Sequence, residues 1–370
     1  MMLLVFCAYQ TPQVAPIPTI KSAIDVQAVP LSNVSLECVY EDTQQNCSVR
    51  IFDNFEFFKA LLYPREVPFT VEEWKEEGEA SALSVVEARI ASSAEAGYDI
   101  KTLDEWYKLS VTAEKVQIEA HNLFGFSRAL ASLVQLIDVY PRLPEVGQAY
   151  VMHLAEIEDK PAYPWRQLML DGARHYISIE NLKRHIDALA IAKMSLLHFH
   201  AVDAESFPVK FDNAPESDFF KGTYHPKFYY STEDFRDLQD YAFTRGIFFY
   251  VELDMPGHAW AWGKAADGIV PECPDTVAAN PNNVGLNMIN DAIYPYLKGA
   301  INETGSLETW ARPIVHLGGD EISSKCYNED PNFKKYMDDN GVTVFDLWKQ
   351  FHAHVYADIA DSFQGRQRPY

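Results

Sequence analysis

The stretch "WRQLMLDGARHYISIENLKRHIDALAIAKMSLLHFHAVD", residues 165–203, decides how this chain is built. A short apolar run, "WRQLMLD", is broken by a glycine. A helical stretch, "SIENLKRHIDALAIAK", follows, and a second apolar run, "SLLHFHAVD", closes the unit. Strand, helix and strand in this order make a parallel β-α unit. The pattern continues with the helical "TEDFRDLQDYAFTR", the run "GIFFYVELD", a Pro- and Asn-rich loop and a helix expected from Asn287 to Asn302. A fourth expected strand, "PIVHLGGDE", and a fourth helix, "VFDLWKQFHAHVYADIADS", complete it. Each strand ends on acidic residues: Asp171, Asp203, Asp254, then Asp320-Glu321. A β/α barrel gathers its active site at the carboxyl ends of its strands. A doubly wound sheet shows the same alternation, so on pattern alone both architectures stand.

Upstream, residues 21–158 read as a separate α+β domain. "EWYKLSVTAEKVQIEAHN" alternates apolar and polar residues around Glu114-Lys115, the pattern of a β-hairpin. "LFGFSRALASLVQLIDVY" switches to helical spacing, with Phe126, Leu130, Leu133, Val134 and Ile137 on one stripe. "EIEDKPAYPWR" supplies the boundary, since Pro161 and Pro164 discourage regular structure. Residues 159–370 form the second domain.

The first 20 residues include "MMLLVF", an apolar run without a basic flank that is too short to span a bilayer; it reads as a degenerate or clipped secretory leader. The net charge of −22 argues against nucleic acid or an anionic membrane as partner. Of the five cysteines, Cys7 would leave with a leader, and Cys38, Cys47, Cys273 and Cys326 form an even set suited to an oxidising compartment. Unpaired buried thiols in a cytosolic protein are the competing reading. Sequons at Asn33, Asn46 and Asn302 mark glycosylation acceptors of an exported protein. The expected location is lysosomal or secreted.

Adjacent like charges on a regular strand face opposite ways, so Asp320 and Glu321 address one ligand only if Gly318 and Gly319 bend the strand end. Like charges held together raise one carboxyl's pKa, which suits a general acid. A solvated acidic loop is the plain alternative. Arg174 stands beyond the first strand, within reach of a hydroxyl or a carboxylate, or is simply a surface charge. His198 and His200 share one strand face; with Asp320 they suit a zinc hydrolase, or they are hydrogen-bonded core histidines. His258 follows a Pro-Gly turn beside Trp260 and Trp262, aromatics that suit sugar rings or a core.

Taken in order and spacing, "LDGARHY", "KMSLLHFHAVDAESFP", "ELDMPGH" and "HLGGDE" resemble the β-N-acetylhexosaminidases of glycoside hydrolase family 20, closest to the eukaryotic lysosomal and secreted branch. The resemblance implies a (β/α)8 TIM-type barrel behind a non-catalytic α+β domain, and no cofactor or metal. It implies exo-acting hydrolysis of terminal β-linked GlcNAc or GalNAc, in which the substrate's own acetamido oxygen is the nucleophile, an exception to the two-carboxylate scheme. Glu321 then matches the general acid and Asp320 the group that orients the acetamido N–H. Asp203 and His258 match a dyad that tunes the acid, and Arg174 a grip on sugar hydroxyls. A Cys273–Cys326 disulfide near the site is implied as well, with Cys38–Cys47 left by default pairing. Dimerisation is common in that family, so a second copy is a candidate partner beside the amino-sugar glycan.

Four positions depart from the family pattern: Phe199 stands in place of Trp, Ser195 in place of Asn, and Ala204 and Glu205 in Asp203-Ala204-Glu205 in place of the Asp and Gln of Asp-Asp-Gln. A closed barrel takes eight strands. Four are expected before Tyr370, and the ending "QGRQRPY" lacks strand character, so the chain is expected to carry the first half of the barrel. The alternative function is a catalytically impaired sugar-binding fragment.

Overall fold

The computed structural model describes residues 5–6, 21–62, 83–94, 96–143, 147–212, 219–307 and 313–363. Most of the expected leader and the "QGRQRPY" ending lie outside the described residues.

The amino-terminal half is a seven-stranded mixed sheet packed on two helices. Its elements are β1 (Val5–Phe6), β2 (Lys21–Tyr40), α1 (Val49–Leu62), β3 (Leu83–Ile90), β4 (Tyr107–Val111), β5 (Val116–Ala120), α2 (Leu123–Val134), β6 (Ile137–Leu143) and β7 (Gly147–Asp159). The expected hairpin is present: β4 and β5 pair antiparallel, with Val111 opposite Val116. β3 alternates buried and outward positions, so one face of the sheet is core.

Helix α2 starts at Asn122, whose side chain accepts hydrogen bonds from the Phe124 and Gly125 N–H groups. It ends sooner than its apolar stripe predicts. Ile137 leaves the helix to pair with Met152 across β6 and β7, because a strand register there satisfies backbone groups that another helical turn would not. β7 runs on to Asp159, one residue beyond the expected domain edge.

Leu123 to Leu133 are all buried, since α2 is covered on two sides. Toward the second half of the chain, Phe124 stacks on Phe248 at 4.8 Å and Ser127 Oγ donates to the Arg245 carbonyl at 2.9 Å. Arg128 is wholly buried in this seam. It donates to Glu105 at 2.8 Å and to the Gly246 carbonyl at 2.6 Å, while Arg166 joins the same carboxylate at 2.9 Å. Stripping one partner from such a buried ionic cluster costs roughly 3–5 kcal/mol.

The second half begins with β8 (Gln167–Asp171), α3 (Ile179–Ile191) and β9 (Leu196–His200), the parallel unit read from the sequence. A short pair, β10 (Val209–Lys210) and β11 (Tyr230–Ser231), leads to α4 (Thr232–Thr244) and β12 (Phe248–Glu252). The three longer strands are parallel in the order β12-β9-β8. β9 and β12 are buried along their whole length, as parallel strands covered on both faces must be. Leu182, Ile186, Leu189 and Ala190 give α3 the buried stripe that holds it to the sheet.

The fourth expected strand, residues 313–321, is reduced to one parallel bridge, His316 to Glu252. Leu253 and Met255 donate to the His316 and Leu317 carbonyls at 3.0 and 2.9 Å, and then Gly318 and Gly319 turn away with φ of 60° and 106°. These glycines end the strand before it can lengthen. The helix expected from Asn287 instead starts as α6 (Tyr294–Ser306), because Asn290 caps a separate 3-10 turn and Pro295 fits only a first helical turn. α5 (Pro274–Ala279), α7 (Ser324–Glu329) and α8 (Pro331–Asn340) are short helices the periodicity did not announce. α9 (Val344–Ser362) matches its expectation and opens with a Thr343/Asp346 capping box. Asn33 lies in β2, while Asn46 and Asn302 are exposed.

Candidate active site

The register of the parallel sheet sets Asp171, His200, Glu252 and His316 in one row at the carboxyl ends of their strands. From that row a chain of alternating acids and imidazoles runs outward. His200 presents Nδ1 to Glu252 at 3.0 Å and Nε2 to Asp203 at 3.0 Å. His258 presents Nδ1 to Asp203 Oδ1 at 3.1 Å and Nε2 to Glu321 Oε2 at 3.1 Å. Each ring lies between two carboxylates, an arrangement that favours imidazolium with both N–H groups donating.

The electrostatics follow this geometry. The hydrogen bond from Asp203 leads in pushing His258 up to about 9, against the opposing effect of burial. Burial works to lower His200, but the bonds to Asp203 and Glu252 outweigh it and raise the ring to about 10. Asp203 and Glu252 are buried, which alone would raise them. The histidine hydrogen bonds overcome that, and both are held well below the usual carboxylate range.

Arg174 joins the same cluster, since its guanidinium lies 2.7 Å from Asp203 and 2.8 Å from Asp171. Its Nε stands 3.7 Å from Glu205, the acid at the position where the family pattern has Gln. The Arg174 side chain remains 41% exposed, so it is open to a ligand.

Four of the five predicted site residues, Arg174, Asp203, His258 and Glu321, are therefore linked by direct contacts. Asp320 is placed differently. It is exposed and makes no hydrogen bond to another described residue, while its charge bears on Asp254. Asp254, which follows β12 and packs against this turn, is driven upward. Burial comes first, the Glu252 and Asp320 charges add to it, and the Gly319 N–H at 2.8 Å resists, leaving Asp254 at about 6.

The fold matches that of known proteins. Residues 163–367 match the glycosyl hydrolase family 20 catalytic domain. The chain belongs to glycosyl hydrolase family 20. It is 37% identical to "Beta-hexosaminidase subunit A1" of Dictyostelium discoideum over 253 residues, which are 68% of this chain and 46% of that protein. "Beta-hexosaminidase A" of Caenorhabditis briggsae is 32% identical over 70% of this chain and 46% of its own length. The chain thus spans about half the length of the curated relatives it matches. Among solved structures, Flavobacterium johnsoniae chitobiase superposes with a TM-score of 0.72 at 23% identity, covering 94% of this chain and 50% of that one. Family 20 implies a catalytic domain of TIM-barrel type, and the parallel strands described here are part of such a barrel.

Both expected disulfides are present. Cys273–Cys326 joins the start of α5 to α7, the helix that follows Glu321, and Glu329 reinforces it by accepting from the Asp275 and Thr276 N–H groups at 2.7 and 2.9 Å. The bridge therefore ties the segment that follows the His258 loop to the helix that follows Glu321.

Two contributors escaped the sequence reading. Glu252 received no role, although an acid inside the apolar "GIFFYVELD" is a visible anomaly. Asp254 was noted only as a strand-end acid. The zinc grouping of His198, His200 and Asp320 is not formed among the described residues: His198 turns to Glu252 at 2.6 Å, and Asp320 stands apart from both rings. No helix among the described residues is long and apolar enough to cross a membrane.

Proposed function

We propose that this chain carries the acid half of an exo-acting β-N-acetylhexosaminidase site, which removes terminal GlcNAc or GalNAc by acetamido-assisted, retaining hydrolysis. The observation that carries the reading is the Asp203–His258–Glu321 relay, with 3.1 Å at each step. Glu321 protonates the glycosidic oxygen as the C1–O bond breaks, while the substrate's acetamido oxygen attacks C1. The resulting oxazolinium ion is opened by water, which passes its proton to the Glu321 carboxylate. Asp320, exposed beside this group, orients the acetamido N–H and steadies the positive charge on the ring. Its lack of a hydrogen-bond partner among the described residues supports that role, because an acid committed to a protein hydrogen bond is less available to a ligand. Arg174 holds hydroxyls of the terminal sugar through charge-assisted bonds. Relatives named as hexosaminidases support the substrate class.

In this reading residues 21–158 support the catalytic part at 159–370. The two disulfides and the exposed Asn46 and Asn302 sequons favour a lysosomal or secreted setting. Hydrolysis of 4-nitrophenyl N-acetyl-β-glucosaminide, compared with the glucoside that lacks the acetamido group, tests the proposal. Release of nitrophenol from the first substrate only is expected. Binding of an oxazoline mimic with no turnover would favour the sugar-binding fragment, and cleavage of both substrates would contradict acetamido assistance.

A further inference from the structure

We propose that His198, Glu252 and His316 form a binding site for a borderline-soft divalent cation of the zinc class, separate from the hydrolytic groups and able to disturb them. The three side chains come from adjacent elements, β9, β12 and the bridge after it, and their ligand atoms lie within 4.8 Å of one another. His198 Nε2 stands 2.6 Å from one oxygen of Glu252, and His316 Nδ1 stands 3.3 Å from the other. Two imidazole nitrogens and one carboxylate are a donor set that zinc accepts, with a remaining position for water.

The present hydrogen bonding favours a cation at this place. His316 Nδ1 is 3.2 Å from the Gly318 N–H as well as 3.3 Å from Glu252. If Nδ1 carries a proton for Glu252, Gly318 has no acceptor there. If Nδ1 offers its lone pair to Gly318, two electron-rich atoms face each other. One nitrogen cannot serve both, whereas a cation takes the lone pairs of Nδ1 and Glu252 together. Gly318 is exposed, so water can receive its N–H once the ring is drawn to a metal. His316 is 42% exposed at the side chain and gives an ion its way in, while the nearly buried His198 is fixed by stacking on Tyr250 at 4.9 Å.

Occupancy has a consequence for the neighbouring relay. The Glu252 oxygen nearest His198 also holds His200 at 3.0 Å, and His200 in turn holds Asp203. A cation that draws Glu252 toward His198 and His316 weakens its hold on His200 and frees the Gly318 end of the acid-bearing turn. The site therefore acts as an inhibitory position rather than a source of hydrolytic power.

The test is a Co2+ titration of the full chain followed by visible d–d absorption, with Zn2+ as competitor. One equivalent of bound Co2+ with intense low-coordinate bands is expected, displaced by Zn2+. His316→Gln, at an exposed position, and His198→Gln should each weaken binding at least about tenfold. His121→Gln, a remote exposed imidazole, should leave the titration unchanged. Bands of hydrated Co2+ alone, or equal affinity in wild type and both ligand variants, would overturn the proposal. So would a loss confined to Asp254→Asn, which would move the site to the His200–Asp203–Asp254 group. None of these readouts depends on turnover, so they are independent of the hydrolytic reading.

Discussion

His258 Nε2 and Glu321 Oε2 meet at 3.1 Å with both residues in left-handed backbone conformation, at φ of 49° and 52°. Side chains other than glycine rarely adopt this region, and each such residue costs on the order of 1–3 kcal/mol. The surrounding structure over-determines both. Asp203 holds the histidine from behind, the Gly318-Gly319 turn aims the glutamate, and the Cys273–Cys326 staple ties together the segments that follow them. Strain gathered at one contact supports the proposal that these groups are positioned for chemistry.

The glycine turn is the most fragile part of that arrangement. A Cβ on Gly318 would run into the Asp254 carboxyl and would force φ of 60° on an L side chain. Gly318→Ala is expected to lose about 2 kcal/mol or more of stability and most of the activity. Denaturant melts and initial rates on the same preparation check this. A variant of wild-type stability and rate would mean that the turn is not constrained.

Asp203→Asn should separate the two halves of the relay by pH. Its hydrogen bond leads in raising His258 to about 9. The wild-type ring therefore keeps its charge below about 9, and the variant ring loses it as pH rises through the ordinary histidine range near 6.5. Activity of the variant should fall most between those values, by about 10–100-fold, and approach wild type below pH 6. Profiles of kcat/KM against pH decide it, with near-UV circular dichroism to verify the fold. A pH-independent loss would assign Asp203 to structure alone.

The raised carboxyl of Asp254 makes a stability prediction of definite sign. Its folded value, about 6, lies above the unfolded 3.8. The favourable contribution of the protonated form is complete below 3.8 and is lost as pH rises through 6. Asp254→Asn imitates the protonated group and keeps an oxygen for the Gly319 N–H. It should stabilise the chain by on the order of 1–3 kcal/mol at pH 7.5 and by much less near pH 4. Urea midpoints at the two pH values test this, and equal gains at both would refute the assignment.

Reduction of the Cys273–Cys326 bridge, or its double serine variant, releases a loop of sequence separation 53. In the chain-entropy account that costs about 4 kcal/mol. Activity should fall further than the melting temperature explains, because the bridge ties the segment after the His258 loop to the helix after Glu321. A rate that merely tracks the folded fraction would show that the staple serves stability only.

Much of this was legible beforehand because it is local. The β-α alternation, the β4–β5 hairpin and the strand-end acids all follow from side chains a few positions apart. What escaped depends on partners distant in sequence. Ile137 belongs on a helical stripe until Met152 offers a strand edge, and "PIVHLGGDE" reads as a strand until its glycines bend it after one bridge. Glu252 was passed over because its meaning comes from His198, His200 and His316, which only the parallel register brings beside it. Asp320 and Glu321 were expected to share one pocket, with repulsion between them raising one carboxyl. Asp254, buried behind the turn, is a raised carboxyl that was read only as a strand-end acid.

The central assignment is Glu321 as proton donor to the departing oxygen, and a leaving-group comparison tests it most directly. Glu321→Gln should slow hydrolysis of a 4-methylumbelliferyl N-acetylglucosaminide by about 10²–10⁴-fold, since that leaving group needs the proton. Hydrolysis of the 2,4-dinitrophenyl glycoside, whose leaving group does not, should drop far less. Equal losses on both substrates, or undiminished turnover of the first, would contradict the account.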